Sequence, residues 1–272
     1  MGKVRKFAIK VIHSSVGSVP LGDGYKRRNF NSTPEAGVNE TVLLTFDASY
    51  MIQHELTHMI ALKGTSYIVS YEDHDTVDLP DGSQDTIIRM ELLEPLVKAP
   101  YPIALSKDEV VKLGIDICKA LELCVKNNII HRDVKPSNIL LTWWGGYKLG
   151  DFSASITIKD QLKTGQIGTP MYMAPEIYRG ESFTTNIDTY SLGLVMYEFL
   201  NGNRVPFLCG DGAHESSLLV QNALSRRLSG EPLPEIPGVS RPLQSVILKA
   251  CAFDPADRFS SPIEMRQALE KL

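Results

Sequence analysis

The chain contains 272 residues, of which 43% are hydrophobic and 22% are charged, and its formal net charge is −4 at pH 7. These proportions are typical of a soluble globular protein, and the charge balance argues against nucleic acid or an anionic membrane as a partner. The apolar run Leu192–Leu200 is too short to span a bilayer, and the four cysteines form no C-x-x-C pair, so a cytoplasmic protein with reduced thiols is expected.

The first third of the chain has the pattern of strands and one helix. Phe7–Ile12 is a β-prone run, and the following His13–Glu40 is rich in Gly, Ser, Asn and Pro, which predicts a long loop or insertion. Helical spacing of apolar residues predicts a helix over Asp47–Leu62. Two β-prone runs separated by a turn predict strands over Tyr67–Asp75 and Thr86–Leu93.

The rest of the chain has the pattern of helices with two short strands between them. Ser106 is followed three residues later by Glu109, a capping box that predicts the start of a helix. The short runs Ile139–Thr142 and Tyr147–Gly150 predict a pair of strands joined by a tight turn. Ile187–Leu200 is apolar on nearly every face, which predicts a helix buried at the centre of the helical part.

A strand-rich first third and a helix-rich remainder predict an α+β protein with two lobes. We expect one domain over residues 1–272, with a small lobe over residues 1–92 that contains the insertion at about residues 13–40. The larger helical lobe would cover residues 93–272, and the lobes would meet near Glu91–Pro95.

Two short segments of the helical part place acidic and amide side chains close together in the sequence. Residues 131–138 read HRDVKPSN, and residues 151–153 read DFS. The first segment resembles the catalytic loop of protein kinases, and the second follows it in the order found in that family. The resemblance implies that Asp133 accepts the proton of a substrate hydroxyl, and that Asn138 and Asp151 hold the magnesium ions that carry ATP.

Further stretches extend the resemblance to the Hanks-type protein serine/threonine kinases, from about Lys3 to the end of the chain. Ala8-Ile9-Lys10 is similar to the strand whose lysine contacts the α- and β-phosphates, and Glu55 is similar to the helix carboxylate that orients this lysine. The resemblance implies a bilobal kinase fold and ATP-dependent transfer of the γ-phosphoryl group to Ser/Thr hydroxyls of a protein substrate. The implied metal is Mg²⁺, or Mn²⁺ in its place.

Residues 168–176 read GTPMYMAPE and resemble the end of the kinase activation segment. The resemblance implies that Thr169 contacts Asp133 and that Glu176 forms an ion pair with Arg258. The ion pair would fix a platform for the substrate and would take no part in the chemistry.

Four more residues have implied roles around the same loop. Asp188 is similar to the buried helix carboxylate that supports the loop backbone, and Lys135 is similar to the lysine that neutralises the transferring phosphoryl group in serine/threonine-type kinases. Arg132 implies control by a phosphate on the activation segment, for which Thr164 is the first candidate acceptor.

The adenine ring of ATP would lie between the lobes in this resemblance. The implied gatekeeper and hinge would offer backbone groups to the ring, and one apolar side chain would cover each of its faces, although core packing explains the same apolar residues equally well. The residues concerned are Met90, Glu91, Leu92 and Leu93 for the gatekeeper and hinge, and Ala8 and Leu140 for the two faces.

The chain departs from the family pattern at two places. The family places a G-x-G-x-x-G loop before the lysine strand, but the nine residues before Lys10 contain only Gly2. Either the chain starts late or it works without this loop, and a partner or the insertion would then cover the exposed edge of the small sheet. Ser153 replaces the glycine that follows Asp-Phe in the family, which would restrict the backbone at Asp151. The missing loop leaves a pseudokinase, a regulatory binding module, as an alternative to a catalytic kinase.

A motif from another class of enzyme lies on the predicted helix Asp47–Leu62. Residues 54–58 read HELTH, the H-E-x-x-H signature of zinc metallopeptidases. His54 and His58 would share one helix face, and Glu55 could activate a zinc-bound water. Because a zinc site needs a third ligand and the resemblance assigns Glu55 to Lys10, the zinc peptidase is the more remote alternative.

Overall fold

The β-prone residues near the start of the chain form a three-stranded antiparallel sheet. Strands β1 (Phe7–Ser14) and β2 (Tyr71–Asp78) both pair with β3 (Gln84–Glu91), which lies between them. The computed structural model that shows this sheet describes residues 7–14, 48–97, 104–159, 167–208 and 217–272.

Successive side chains of β1 lie on opposite faces of the sheet. Lys10 lies across from the fully buried Ile88 and is itself half-buried, so its face packs on the interior. On the other face, the exposed fractions of Ile9 and Val11 are 56% and 57%. Within the ranges given above, β1 pairs with β3 alone, and a partner that covers its other edge stays a prediction.

Helix α1 (Ala48–Ala61) confirms the helix predicted over Asp47–Leu62. Its buried residues Ile52, Leu56 and Met59 are three or four positions apart and form one helix face. Glu55 adjoins this face and is also buried. Because α1 contacts β1, the helix carries Glu55 toward the strand that contains Lys10.

The remaining elements are mainly helices, connected by short paired strands. The helices are α2 (Lys107–Lys126), α3 (Pro175–Arg179), α4 (Asn186–Leu200), α5 (Ser217–Leu228), α6 (Arg241–Ala250) and α7 (Pro262–Leu269). The strands are β4 (Glu94–Pro95), β5 (Ile129–Ile130), β6 (Ile139–Leu141), β7 (Tyr147–Leu149) and β8 (Ile156–Thr157), paired as β4-β6-β7 and β5-β8. A small strand-rich part followed by a larger helical part is the predicted α+β division. Across the described residues, no helix has both the length and the apolarity to cross a membrane.

The helical part is built around α4, as its apolar sequence predicted. This helix is buried along nearly its whole length and contacts α2, α6 and α7. At the start of α2 the predicted capping box is complete, because Ser106 Oγ accepts a hydrogen bond from Glu109 N and the Glu109 carboxylate accepts one from Ser106 N. Local sequence signals and core packing therefore agree in this part of the chain.

Most strand boundaries predicted in the first third differ from the structure by two to four residues, since the strands predicted over Tyr67–Asp75 and Thr86–Leu93 lie at Tyr71–Asp78 and Gln84–Glu91. The strand predicted from Tyr67 begins at Tyr71, because Tyr67 O and Val69 N bond instead with Leu149 of β7, at 2.9 Å each. A short β-prone run does not say which strand it will pair with, and here the partner is in the helical part. His13 and Ser14 were assigned to the loop but continue β1 and pair with Asp85 and Gln84.

A glycine allows α4 and α6 to approach closely. A Cβ atom on Gly193 would lie 2.6 Å from Cys251 Sγ and 2.9 Å from Ala250 Cβ, neither of which is the end of a flexible side chain. Gly114 of α2 is a useful comparison. Its added Cβ would meet Met196 and Leu269 at the far ends of flexible side chains, where a shift costs less than at Cys251 and Ala250.

We predict that Gly193→Ala lowers the free energy of unfolding by about 1–3 kcal/mol, because overpacking outweighs the gain in helix propensity. Gly114→Ala is the matched control, since it has the same gain in propensity against movable neighbours. Urea unfolding followed by circular dichroism measures both variants, and equal effects of the two substitutions would contradict the prediction.

Candidate active site

The ammonium group of Lys10 lies between two carboxylates. Its Nζ is 2.5 Å from Glu55 Oε1 and 2.9 Å from Asp151 Oδ1. Burial alone would lower the pKa of Lys10, but the two carboxylates outweigh burial and raise it, so the side chain stays charged. The structure thus brings together three of the predicted residues, of which Lys10 and Asp151 are 141 positions apart.

The backbone of residues 131–138 is held by a buried carboxylate of α4. Asp188 accepts hydrogen bonds from His131 N and Arg132 N, both at 2.8 Å. Arg132 has a φ of 65°, in the left-handed region that a non-glycine residue adopts only at a cost in energy. Hydrogen bonds to a carboxylate are strong enough to offset this cost. The support expected from Asp188 is therefore present.

The side chain of Arg132 points into the protein. Its Nε donates to Ala154 O at 2.6 Å, and burial lowers the pKa of Arg132 to about 10, so it remains charged at pH 7. Thr164, the predicted acceptor of a regulatory phosphate, lies outside the described residues. Control through Arg132 and Thr164 stays a prediction.

The carboxylate of Asp133 is surrounded by hydrogen-bond donors. Its Oδ1 accepts from Thr169 N at 3.0 Å and from Thr169 Oγ1 at 2.7 Å, and Lys135 Nζ lies 2.7 Å from its Oδ2. Lys135 Nζ also donates to Thr169 Oγ1 at 2.9 Å. The contact expected between Thr169 and Asp133 is present, and the three side chains fix one another's orientation.

A glycine allows the residues before Thr169 to touch residues 131–138. Gly168 has a φ of 130°, and a Cβ atom there would lie 2.6 Å from Arg132 O. Any other residue would push this segment away from the loop. The close approach at Gly168 therefore helps to place Thr169 on Asp133.

Asn138 and Asp151 offer oxygen atoms suited to a hard cation. Asn138 Nδ2 donates to Asp133 O at 2.9 Å and to Asp133 Oδ2 at 3.1 Å, which directs the amide oxygen away from Asp133. Burial alone would raise the pKa of Asp151, but Lys10 outweighs it and holds this pKa below its usual value. One ionised carboxylate and one amide oxygen fit the ligand chemistry of Mg²⁺.

Ser153, the replacement for the family glycine, is accommodated without strain. It is not among the residues with positive φ, whereas Asp151 has a φ of 59°. The Ser153 side chain hydrogen-bonds Asp151 and lowers its pKa further. In this arrangement the serine supports Asp151.

The ion pair expected between Glu176 and Arg258 is present and fully buried. Arg258 Nη1 and Nη2 lie 2.6 and 2.8 Å from the two carboxylate oxygens, with side-chain exposures of 0% and 2%. Two parallel hydrogen bonds join the guanidinium to the carboxylate, so each buried charge is paired with the other. The pair holds α3, which contains Glu176, against the segment that contains Arg258.

Arg227 of α5 supports the residues after Thr169 and was missed in the sequence. Its guanidinium donates to Pro170 O and Met173 O, both at 2.8 Å, and to the Tyr190 hydroxyl at 2.7 Å. The sequence has two adjacent arginines in a helix, and it carries no signal that Arg227, which lies four residues after the buried Ala223, is the one that points inward.

Most of the residues implied for adenine binding lie near the end of β3, whereas Leu140 lies on β6 across from Pro95. The register places Ala8 across from Met90. Glu91 is fixed by internal bonds, because its N–H donates to Ser70 O at 2.9 Å and its carboxylate accepts from Lys148 Nζ at 2.6 Å. The N–H of Glu91 is therefore not available to a nucleotide in this arrangement. Contacts of adenine with Ala8, Met90, Leu93 and Leu140 stay predictions.

The H-E-x-x-H motif does not assemble a zinc site in the described part of the chain. Glu55 pairs with Lys10, and His58 Nδ1 lies 2.7 Å from Ser155 Oγ. No group of three His, Cys, Asp or Glu residues within the described ranges is arranged to hold a metal ion. The zinc peptidase hypothesis is not supported, because the helix face that would carry zinc meets other partners.

The chain is similar to a known family over most of its length. Residues 47–271 match the family model described as protein kinase domain. Serine/threonine-protein kinase PknB of Mycobacterium tuberculosis is 35% identical over 214 residues, which cover 75% of this chain and 33% of that protein. PknB of Mycobacterium leprae is 36% identical over 168 residues, covering 59% and 26%, and PknB of Mycolicibacterium smegmatis is 33% identical over 211 residues, covering 74% and 32%. The chain spans about a third or less of the length of these relatives.

We predict that Arg227→Met lowers the free energy of unfolding by about 2–4 kcal/mol, because it removes the donor to the buried Met173 carbonyl group and the buried Tyr190 hydroxyl, and also the donor to the part-buried Pro170 carbonyl group. Arg226→Met is the matched control, since Arg226 pairs with Glu231 at the surface and its loss should cost less than about 1 kcal/mol. Urea unfolding measures both, and a cost for Arg227→Met no larger than that of the control would contradict the prediction.

Proposed function

Because the chain belongs to the protein kinase family, we propose that it transfers the γ-phosphoryl group of ATP to serine and threonine hydroxyls of a protein substrate. The observation that carries the proposal is the environment of Asp133, whose carboxylate is fixed by Thr169 and lies 2.7 Å from Lys135. Similarity to relatives named as serine/threonine-protein kinases, and the presence of Lys135, support Ser/Thr hydroxyls as the acceptor.

In the proposed reaction Asp133 orients the substrate hydroxyl and accepts its proton. The hydrogen bonds from Thr169 hold one carboxylate oxygen in place, so little reorganisation is needed when the hydroxyl arrives. Lys135 Nζ would stabilise negative charge on the phosphoryl group as it passes between the two oxygens. Positioning and electrostatics carry most of the catalysis, because phosphoryl transfer needs little covalent chemistry from a protein.

Lys10 would bind the α- and β-phosphates. Its side chain is 30% exposed, so phosphate oxygens can reach the ammonium, while Glu55 on the buried side keeps it in place. Asp151 is the more exposed of its two carboxylate partners, at 39%. Phosphate would therefore compete with Asp151 for the ammonium and leave the Glu55 contact intact.

Mg²⁺ would be held by Asn138 and Asp151, whose oxygen atoms fit its ligand chemistry. When bound, the metal neutralises charge on the phosphate oxygens. Because Asn138 also donates to the Asp133 carboxylate at 3.1 Å, the metal ligand and the proposed proton acceptor are held in a fixed relation. Mn²⁺, which prefers similar oxygen ligands, would serve in the same place.

We place this activity in the cytoplasm, with a protein as the partner that supplies the hydroxyl. Cys118, Cys124 and Cys251 are free thiols in the core, which fits a reducing compartment that also contains ATP.

We predict that Asp133→Asn lowers the rate of ATP-dependent phosphorylation by about 10²–10⁴-fold, because the amide cannot accept the proton. Radiolabelled ATP with Mg²⁺ measures autophosphorylation and phosphorylation of myelin basic protein, and EDTA should abolish both. Asp108→Asn, the same substitution at an exposed position of α2, is the control and should leave the rate unchanged.

Equal labelling of wild type and Asp133→Asn would contradict the assignment of Asp133. A wild-type chain that binds a fluorescent ATP analogue but transfers no label would contradict the catalytic proposal and support the regulatory binding module.

A further inference from the structure

His58 makes a buried hydrogen bond that the proposed chemistry does not use. It lies on α1 with an exposed fraction of 3%, and its Nδ1 is 2.7 Å from Ser155 Oγ. The Ser155 hydroxyl donates to Phe152 O at 2.5 Å, so its single proton is already engaged. Ser155 Oγ therefore accepts from His58, which places the histidine proton on Nδ1.

Helix α1 and residues 151–155 are joined at two points. Lys10 links Glu55 of α1 to Asp151, and the His58–Ser155 bond links α1 to the residues that follow Asp151. His58 is three positions after Glu55, so the two side chains lie on neighbouring positions of one helix face. One attachment leaves a helix free to rotate about it, whereas two attachments along the face fix its orientation.

The bond also reaches the residue that follows Asp151. Phe152 is held from one side by the Ser155 hydroxyl on its carbonyl oxygen. From the other side, the His131 ring packs edge-on against the Phe152 ring, with ring centroids 4.9 Å apart. A shift of α1 at His58 would therefore displace Phe152 and, with it, the neighbouring Asp151.

We propose that His58 and Ser155 are positioning residues, whose hydrogen bond holds α1 against residues 151–155 and so keeps Glu55 and Lys10 in the arrangement that phosphoryl transfer requires. The proposal rests on the proposed function. It also gives a role to two residues of the H-E-x-x-H motif, because Glu55 contacts Lys10 and His58 contacts Ser155.

The surroundings of His58 keep its ring neutral. Burial is the main cause that lowers the pKa of His58 to about 4, and the positive or protonatable groups facing it from α1 and from residues 131–138 add to the effect. These groups are His54, Arg132 and His131. At pH 7 the ring therefore carries one proton, which suits a donor at Nδ1 with a fixed partner.

The test compares wild type with variants that remove or keep the donor. His58→Leu removes the donor, Ser155→Ala removes the acceptor, and His58→Asn keeps an N–H near the position of Nδ1. We expect His58→Leu and Ser155→Ala each to lower kcat for myelin basic protein about 5- to 10-fold, with KM for that substrate unchanged. The double variant His58→Leu/Ser155→Ala should be no slower than the slower single variant, and His58→Asn should stay within about 2-fold of wild type.

Thr57→Ala is the matched control on the same helix. Thr57 is exposed, and its hydroxyl donates to Gln53 O at 2.7 Å within α1, so its loss should leave kcat unchanged. Hydrogen–deuterium exchange of α1 gives a readout that needs no activity. Exchange should be faster in His58→Leu and Ser155→Ala, and close to wild type in His58→Asn and Thr57→Ala.

Several outcomes would overturn the proposal. These are equal rates for His58→Leu and His58→Asn, effects of the two single substitutions that simply add, or α1 exchange that does not change when the bond is removed. A wild-type chain without kinase activity would refute the proposed function, and α1 exchange in the variants would still decide whether the bond holds the helix.

Discussion

The geometry of the candidate active site depends on the carboxylate of Asp188. Its two hydrogen bonds, each 2.8 Å long, hold His131 and Arg132 in a turn that includes a left-handed arginine, a conformation that costs on its own about 1–3 kcal/mol. The position of Asp133 follows directly, since it is the next residue. Arg132 O is also the atom that Gly168 approaches, so the same turn determines where Thr169 reaches Asp133. A helix with exposed faces could not provide this anchor, and α4 is buried along nearly its whole length.

Two pairs of charged residues at the site differ in exposure. Lys10 and Asp151, which would meet phosphate and metal, have side-chain exposures of 30% and 39%. Glu176 and Arg258, which hold the surrounding structure, have exposures of 2% and 0%. Buried ion pairs contribute little net stability because desolvation offsets their attraction, but breaking one is costly, so they specify a position more than they stabilise a fold. Exposed charges keep their freedom to exchange partners, which a group that binds and releases ATP requires.

The sequence predicted those residues of the candidate site whose proposed chemistry requires a particular residue type at a fixed spacing. Asp133 and Asn138 belong to one short segment, and the resemblance that this segment carries led to Lys10 and Glu55 far away in the chain. The contacts made by Arg227 and Lys148 could not be predicted, because each joins a common surface-type residue to a partner that only the folded chain brings near. The strand expected from Tyr67 was misplaced for the same reason, since its pairing partner Leu149 lies 82 positions later.

In the H-E-x-x-H motif, the sequence pattern predicts which side chains share a helix face, and the tertiary structure determines which groups that face contacts. Helical spacing correctly implies that residues three and four apart share a face, whichever function that face serves. A zinc site requires a third ligand across from the face, whereas here the facing groups are the Lys10 ammonium and the Ser155 hydroxyl. Burial raises the pKa of Glu55 and the Lys10 ammonium lowers it in part, while the hydrogen bond from Lys10 occupies Oε1. A hydroxyl that has already donated its proton leaves His58 to act as donor. The same residues that would bind a metal in one environment therefore orient a helix in another, and the environment is set by strands and loops far away in the sequence.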